Sequence, residues 1–124
     1  MAKILVVEDT ESLCRLYQSV LGRSGHQVIL AQTGDAAVAA AAQDRPDLVI
    51  LDLLLPQESG VEVARALEAA GTFPATPLIV ITALHDSQAW AIAGSLGAAA
   101  VLVKPFDIQR LLTLVRDTLS ASRP

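Results

Sequence analysis

Five times in succession the chain passes from a short aliphatic run into a stretch with helical spacing of its apolar residues, and few folds accept that pattern. Lys3–Val7 (KILVV) reads as a short buried strand ending in Glu8-Asp9. A helix follows from about Ser12, with Leu13, Leu16, Tyr17, Val20 and Leu21 on one stripe and Gly22 and Gly25 closing it. Gln27–Ala31 is a second strand. Thr33-Gly34 opens an Ala-rich helix lasting to Gln43, and Pro46 blocks its continuation. Residues 47–51 lead into Asp52 as the third strand. Ser59-Gly60-Val61-Glu62 has capping-box spacing, so a third helix starts there and stops at Gly71. After a Pro-containing loop over 72–77, residues 78–81 form a fourth strand that ends at Thr82. A fourth helix covers about 86–96, closed by Gly97. Ala100–Val103 is the fifth strand, ending at Lys104-Pro105, and Asp107 caps a last helix with Ile108, Leu111, Leu112 and Val115 as its buried stripe.

Such alternation predicts right-handed βαβ units, hence an α/β fold: a single doubly wound (βα)5 domain with a five-stranded parallel sheet and helices on both faces. The 124 residues suit one domain, expected over 1–120, with 121–124 as a polar tail or the start of a linker. Because 52% of residues are hydrophobic and only 3% aromatic, the apolar excess is Ala, Val, Ile and Leu. A sheet covered on both faces needs that composition.

Several functions fall away. Nine basic residues against thirteen acidic ones do not make a nucleic-acid groove, which needs clustered Lys and Arg. The mean hydropathy of +0.49 raises the question of a membrane, yet the strongest apolar stretch, 48–56, is broken by Asp52. None approaches the ~18 residues of a spanning helix. Met1-Ala2-Lys3 enters a strand-like run at once and does not read as a signal peptide. A soluble cytoplasmic domain is expected. The single cysteine, Cys14, reads as a small packed residue, and His26 and His85 as turn and loop residues.

The polar residues gather at strand ends. Glu8 and Asp9 close the first strand, Asp52 the third, Thr82 the fourth and Lys104 the fifth. In open parallel sheets ligands bind outside the carboxyl ends of the strands, so all five side chains are expected on one edge. Three carboxylates there repel by on the order of 4 kcal/mol per pair at an effective dielectric of about 20. A hard divalent cation relieves that, and an oxygen-only set suits Mg²⁺. With Lys104 as a point charge and Thr82 as a hydroxyl, the set forms a clamp for a transferring phosphoryl group. Asp52, at its centre, would be the nucleophile that forms an aspartyl phosphate.

The segments ILVVED (4–9), LVILDLLLP with Gly60 four residues on (48–60), LIVITA (78–83) and GAAAVLVKPF (97–106) together resemble the receiver domain of two-component response regulators along essentially the whole chain. The resemblance implies a flavodoxin-like sheet of order 2-1-3-4-5. It implies Asp52 as phosphoacceptor, with Thr82 and Lys104 binding the phosphoryl oxygens. Mg²⁺ would be held by Asp9 and Asp52, by Glu8 through water, and by the backbone carbonyl of Leu54. It also implies a cis Lys104-Pro105 bond. The phosphodonor would be a sensor histidine kinase or phosphotransfer protein. The output would be a downstream protein or output domain met through the fourth helix, fifth strand and fifth helix, or a phosphorylation-dependent homodimer. Such a domain is a switch rather than an enzyme, catalysing only its own phosphorylation and slow dephosphorylation.

Departures from the family pattern matter as much. Where receivers carry an aromatic three positions before the lysine, this chain has Val101, so phosphorylation is expected to be read out by another route or read out weakly. Trp90 is expected to point outward from the fourth helix as a partner or self-association contact. Leu54 and Leu84 follow Asp52 and Thr82 by two residues, at positions often polar in receivers. They offer no side chain to orient a hydrolytic water, so a long-lived phosphoryl form is expected. A dehalogenase-type phosphatase is disfavoured because its general acid would stand at position 54, which is leucine. A nucleotide or flavin binder is disfavoured because Glu8-Asp9, not a glycine-rich turn, follows the first strand.

Overall fold

In the computed structural model, residues 2–122 are described, the last by its backbone alone. The aliphatic runs form β1 (Lys3–Val7), β2 (Gln27–Ala31), β3 (Leu48–Asp52), β4 (Leu78–Thr82) and β5 (Ala100–Val103). Between and after them run α1 (Glu11–Arg23), α2 (Gly34–Asp44), α3 (Gly60–Ala69), α4 (Asp86–Ser95) and α5 (Ile108–Ser122). The strands pair in parallel in the order β2-β1-β3-β4-β5, so each ends on the same edge.

The two-residue period of a strand sorts the core into two halves. Leu5, Val7, Val49, Leu51, Leu78 and Val80 face α2, α3 and α4, where Ala37, Ala41, Val63, Leu67 and Ala93 meet them. Ile4, Val6, Leu48, Ile50, Ile79, Ile81 and Leu102 face α1 and α5, packing on Tyr17, Leu21, Leu111, Val115 and Leu119. Each such aliphatic side chain, fully buried, contributes roughly 1.5–3 kcal/mol relative to exposure. Strands apolar on both sides are therefore what holds this sheet inside its helices.

The helix ends show where local signals hold. Thr33 Oγ1 accepts a hydrogen bond from Ala36 N at 3.1 Å and opens α2. Ser59 Oγ accepts from Val61 N at 3.2 Å, so the start of α3 is capped by serine one residue earlier than a capping box requires. Asp107 Oδ1 accepts from Gln109 N at 2.8 Å and opens α5 as expected.

One expectation needs correction. Ile108 is 39% exposed rather than part of the buried stripe, because the inward face of α5 begins only at Leu111. Helix α5 runs on to Ser122; 123–124, the end of the expected polar tail, lie outside the described residues. No helix among the described residues is long and apolar enough to cross a membrane.

Candidate phosphoryl-transfer site

Parallel pairing carries the polar residues at the strand ends onto one edge. Glu8 N donates to Ala31 O at 3.0 Å, which prolongs the β1–β2 pairing and fixes Glu8 just past β1. Lys104 N donates to Thr82 O at 2.8 Å, which does the same for Lys104 beyond β5. Oxygens of Glu8, Asp9 and Asp52 all lie within 4.8 Å of one another. Glu8 and Asp52 are buried, and Asp9 is half-buried.

Lys104 binds this group together. Its Nζ donates to Asp52 Oδ2 at 2.7 Å and to Glu8 Oε1 at 3.0 Å. The remaining oxygens are also engaged: Leu54 N donates to Asp52 Oδ1 at 2.9 Å, and Thr10 N to Glu8 Oε2 at 3.2 Å. Burial pushes the Glu8 carboxyl above its usual range, and the hydrogen bonds from Lys104 and Thr10 only partly offset this. Burial draws the Lys104 ammonium down, but its hydrogen bonds to Asp52 and Glu8 outweigh that, so its net position is above the usual value.

Three carboxylates against one ammonium leave an excess of two negative charges when all are ionised. The donor set is oxygen only and closely grouped, and it fits a hard divalent cation such as Mg²⁺.

Thr82 stands apart from this hydrogen-bonded group. It is fully buried, and its Oγ1 accepts from Leu84 N at 3.2 Å, closing the turn into α4. That bond leaves the hydroxyl proton available to an oxygen arriving at the strand edge. The Lys104–Pro105 bond is cis. Beside Lys104 an apolar groove of about 430 Å³ opens, lined by Leu13, Leu16, Ala83, Pro105 and Phe106.

The other singled-out residues separate clearly. Leu54 is 49% exposed at the mouth of the site, whereas Leu84 is half-buried against the α2–α4 core. Val101 packs against that same core. Trp90 points outward from α4, 62% exposed. His85 is exposed just before α4 and pairs with Ser87 at 3.3 Å. His26 Nδ1 accepts from Ala2 N at 3.2 Å, far in sequence from the site residues.

Two residues have roles the sequence did not announce. The Cys14 thiol is buried with Sγ 3.2 Å from the carbonyl oxygen of Glu8, which steadies the acidic turn. Glu58 accepts from Gly34 N at 2.8 Å, joining the loop after Asp52 to the start of α2. Gly60 closes that loop so tightly on the backbone of Asp52 and Leu53 that a Cβ would collide with Leu53 Cα, which explains the glycine.

The family model for the response regulator receiver domain matches residues 4–116. The response regulator ArlR of Staphylococcus saprophyticus is 36% identical over 119 residues, covering 96% of this chain and 53% of that protein. The alkaline phosphatase synthesis transcriptional regulatory protein PhoP of Bacillus subtilis is 36% identical over 120 residues, covering 97% and 49% respectively. The chain thus spans about half the length of these curated relatives. Among solved structures, the chemotaxis protein CheY4 of Vibrio cholerae superimposes with a TM-score of 0.88 at 30% identity, covering 95% of this chain and 98% of that one.

Proposed function

The chain belongs to the response regulator receiver domains of two-component signalling, and from that premise we propose that Asp52 accepts a phosphoryl group from a histidine kinase or phosphotransfer protein in a Mg²⁺-dependent reaction. The observation that carries this reading is the placement of Asp52, buried at the end of β3, with Lys104 Nζ at 2.7 Å and two further carboxylates around it.

A carboxylate oxygen of Asp52 attacks phosphorus, an O–P bond forms, and the P–N bond to the donor's imidazole breaks. The departing imidazole takes up a proton. Lys104, already in place, pairs with the incoming phosphoryl oxygens, and Thr82 donates its free hydroxyl proton to one of them. Glu8, Asp9, Asp52 and the Leu54 carbonyl would hold Mg²⁺. The ion, when bound, neutralises charge on the phosphoryl group and on the carboxylates. The apolar groove beside Lys104 offers a seat for the donor protein next to the acceptor carboxylate.

The output side is the α4–β5–α5 face, where Trp90 stands exposed to meet a downstream protein, an output domain or a second copy of the chain. Control of an attached output domain is favoured by the curated relatives, of which this chain matches about half.

Incubation with acetyl phosphate and Mg²⁺, followed by intact-mass measurement, tests the chemistry. One phosphoryl adduct is expected, lost in Asp52→Asn and on chelation of the metal. No adduct with any small phosphodonor would overturn the reading.

A further inference from the structure

The loop that follows Asp52 is tied at both ends. At the near end, Leu54 N donates to Asp52 Oδ1 at 2.9 Å and Gly60 N donates to Leu53 O at 3.0 Å. Leu54 and Ser59 form an isolated antiparallel bridge between them. At the far end, the half-buried Glu58 reaches the first residue of α2, and its Oε2 accepts from Gly34 N at 2.8 Å.

That amide is one of the donors a helix start leaves without an intrahelical acceptor, and Thr33 is occupied with Ala36 N. A carboxylate there also faces the positive end of the α2 dipole. Glycine at 34 leaves room for the contact as it stands, since a Cβ would run into Glu58 Oε1 and the Val63 side chain and force the carboxylate to shift. Two segments 24 residues apart have thus shaped a seat for one carboxylate. A cap serving α2 alone needs no partner from the loop that carries Leu54.

We propose that Glu58 is a positioning residue for the phosphoacceptor site. Its bond to Gly34 holds the 53–60 loop in place, so that the main chain of Leu54 stays against Asp52, with its amide on the carboxylate and its carbonyl available to the metal. The inference rests on the Mg²⁺-dependent reading above and adds a residue outside the carboxylate cluster.

The test compares wild type, Glu58→Ala and Glu58→Gln by residue-resolved amide hydrogen exchange and by calorimetric titration with Mg²⁺, with thermal melting to follow the fold. In Glu58→Ala, exchange is expected to speed up at Leu54 and Gly60 as well as at Gly34. Mg²⁺ binding is expected to weaken roughly three- to tenfold, while Glu58→Gln, whose amide oxygen still accepts, stays within about twofold of wild type. Gly34→Ala displaces the same carboxylate from the opposite side and is expected to repeat the alanine pattern, which keeps the test open if Glu58→Ala does not fold. Faster exchange confined to Gly34 with unchanged Mg²⁺ affinity would overturn the proposal. Equal damage by Ala and Gln would assign the effect to charge and overturn it too. Failure of the wild type to bind Mg²⁺ would instead sink the phosphorylation reading, leaving the exchange data at Leu54 and Gly60 to decide the role of Glu58.

Discussion

Lys104 and Asp52, 52 residues apart in the chain, meet at 2.7 Å across the ends of two strands that are not neighbours in the sheet. The same ammonium holds Glu8 at 3.0 Å, so one cation serves two buried carboxylates. Removing one partner of a buried pair leaves uncompensated charge, which costs more than the pair contributes.

Lys104→Met is therefore expected to destabilise the fold by about 3 kcal/mol, since it strands both Glu8 and Asp52. Asp52→Asn should cost much less, because it removes a charge from a cluster with excess negative charge. Urea denaturation of the two variants checks the order. A Lys104→Met variant as stable as Asp52→Asn would contradict it.

The lifetime of the phosphoryl group should depend on Leu54 more than on Leu84. Leu54 is open to solvent at the mouth of the site, whereas the Leu84 side chain turns into the α2–α4 core. Leu54→Asn supplies an amide that can orient water and is expected to speed loss of phosphate by about tenfold. Leu84→Asn is expected to lower the melting temperature instead. Loss of radiolabelled phosphate from the purified variants distinguishes the two.

Alkaline pH should unfold this protein through two groups. Tyr17 is buried with its hydroxyl unpartnered among the described residues, and burial, reinforced by the Glu8 charge, pushes its ionisation above the ordinary 10.0. Below pH 10 the folded and unfolded states are both protonated there. As pH rises further, the unfolded chain releases the proton and the folded one resists, so stability falls. Lys104 acts in the same direction: its value is raised in the fold, so its contribution is complete below 10.5 and is lost as pH rises through the folded value. Tyr17→Phe keeps the ring stacked on Phe106, at 6.2 Å between centroids, and removes the orphan hydroxyl. It is expected to be up to about 1 kcal/mol more stable at pH 7, with a larger gain at pH 11. Chemical denaturation across pH 8–11 reads both effects.

Trp90→Ala should leave the melting temperature and the phosphorylation of Asp52 unchanged, because the ring packs on little of its own domain. Its effect is expected in association, read by sedimentation of the phosphorylated chain and by binding to its output partner. Unchanged association in both would remove Trp90 from the interface.

Sequence reading reached as far as local periodicity and strand-end chemistry extend. KILVV, LVILD, LIVIT and AVLV announce buried strands, and the polar residues at or just past their ends announce the edge where Glu8, Asp52 and Lys104 now meet. The order of the strands came from family resemblance, since nothing within an aliphatic run names its neighbour. Ile108 departs from the expected stripe because helical spacing fixes a stripe but not where along α5 the sheet begins to cover it. The Glu58–Gly34 bond was illegible for a different reason: it joins two turns 24 residues apart, and neither turn looks unusual by itself. The serine cap at Ser59 was visible, but its acceptor role shifted by one amide, a detail set by the tight closure at Gly60.

The strand period that divides the core in two also divides the labour at the edge. Continuing β1, β3 and β5 by that period sends Glu8, Asp52 and Lys104 toward the α1–α5 side, while Thr82, continuing β4, belongs with Leu78 and Val80 on the side of α4. The sheet is thus a partition, with the groups that grip charge in one compartment and the hydroxyl tied to the α4 turn in the other. A group on Asp52 that draws on Thr82 would reach round the carboxyl end of the sheet from one side to the other. The turn into α4, tied to Thr82 through Leu84 N, is where such a pull would be felt.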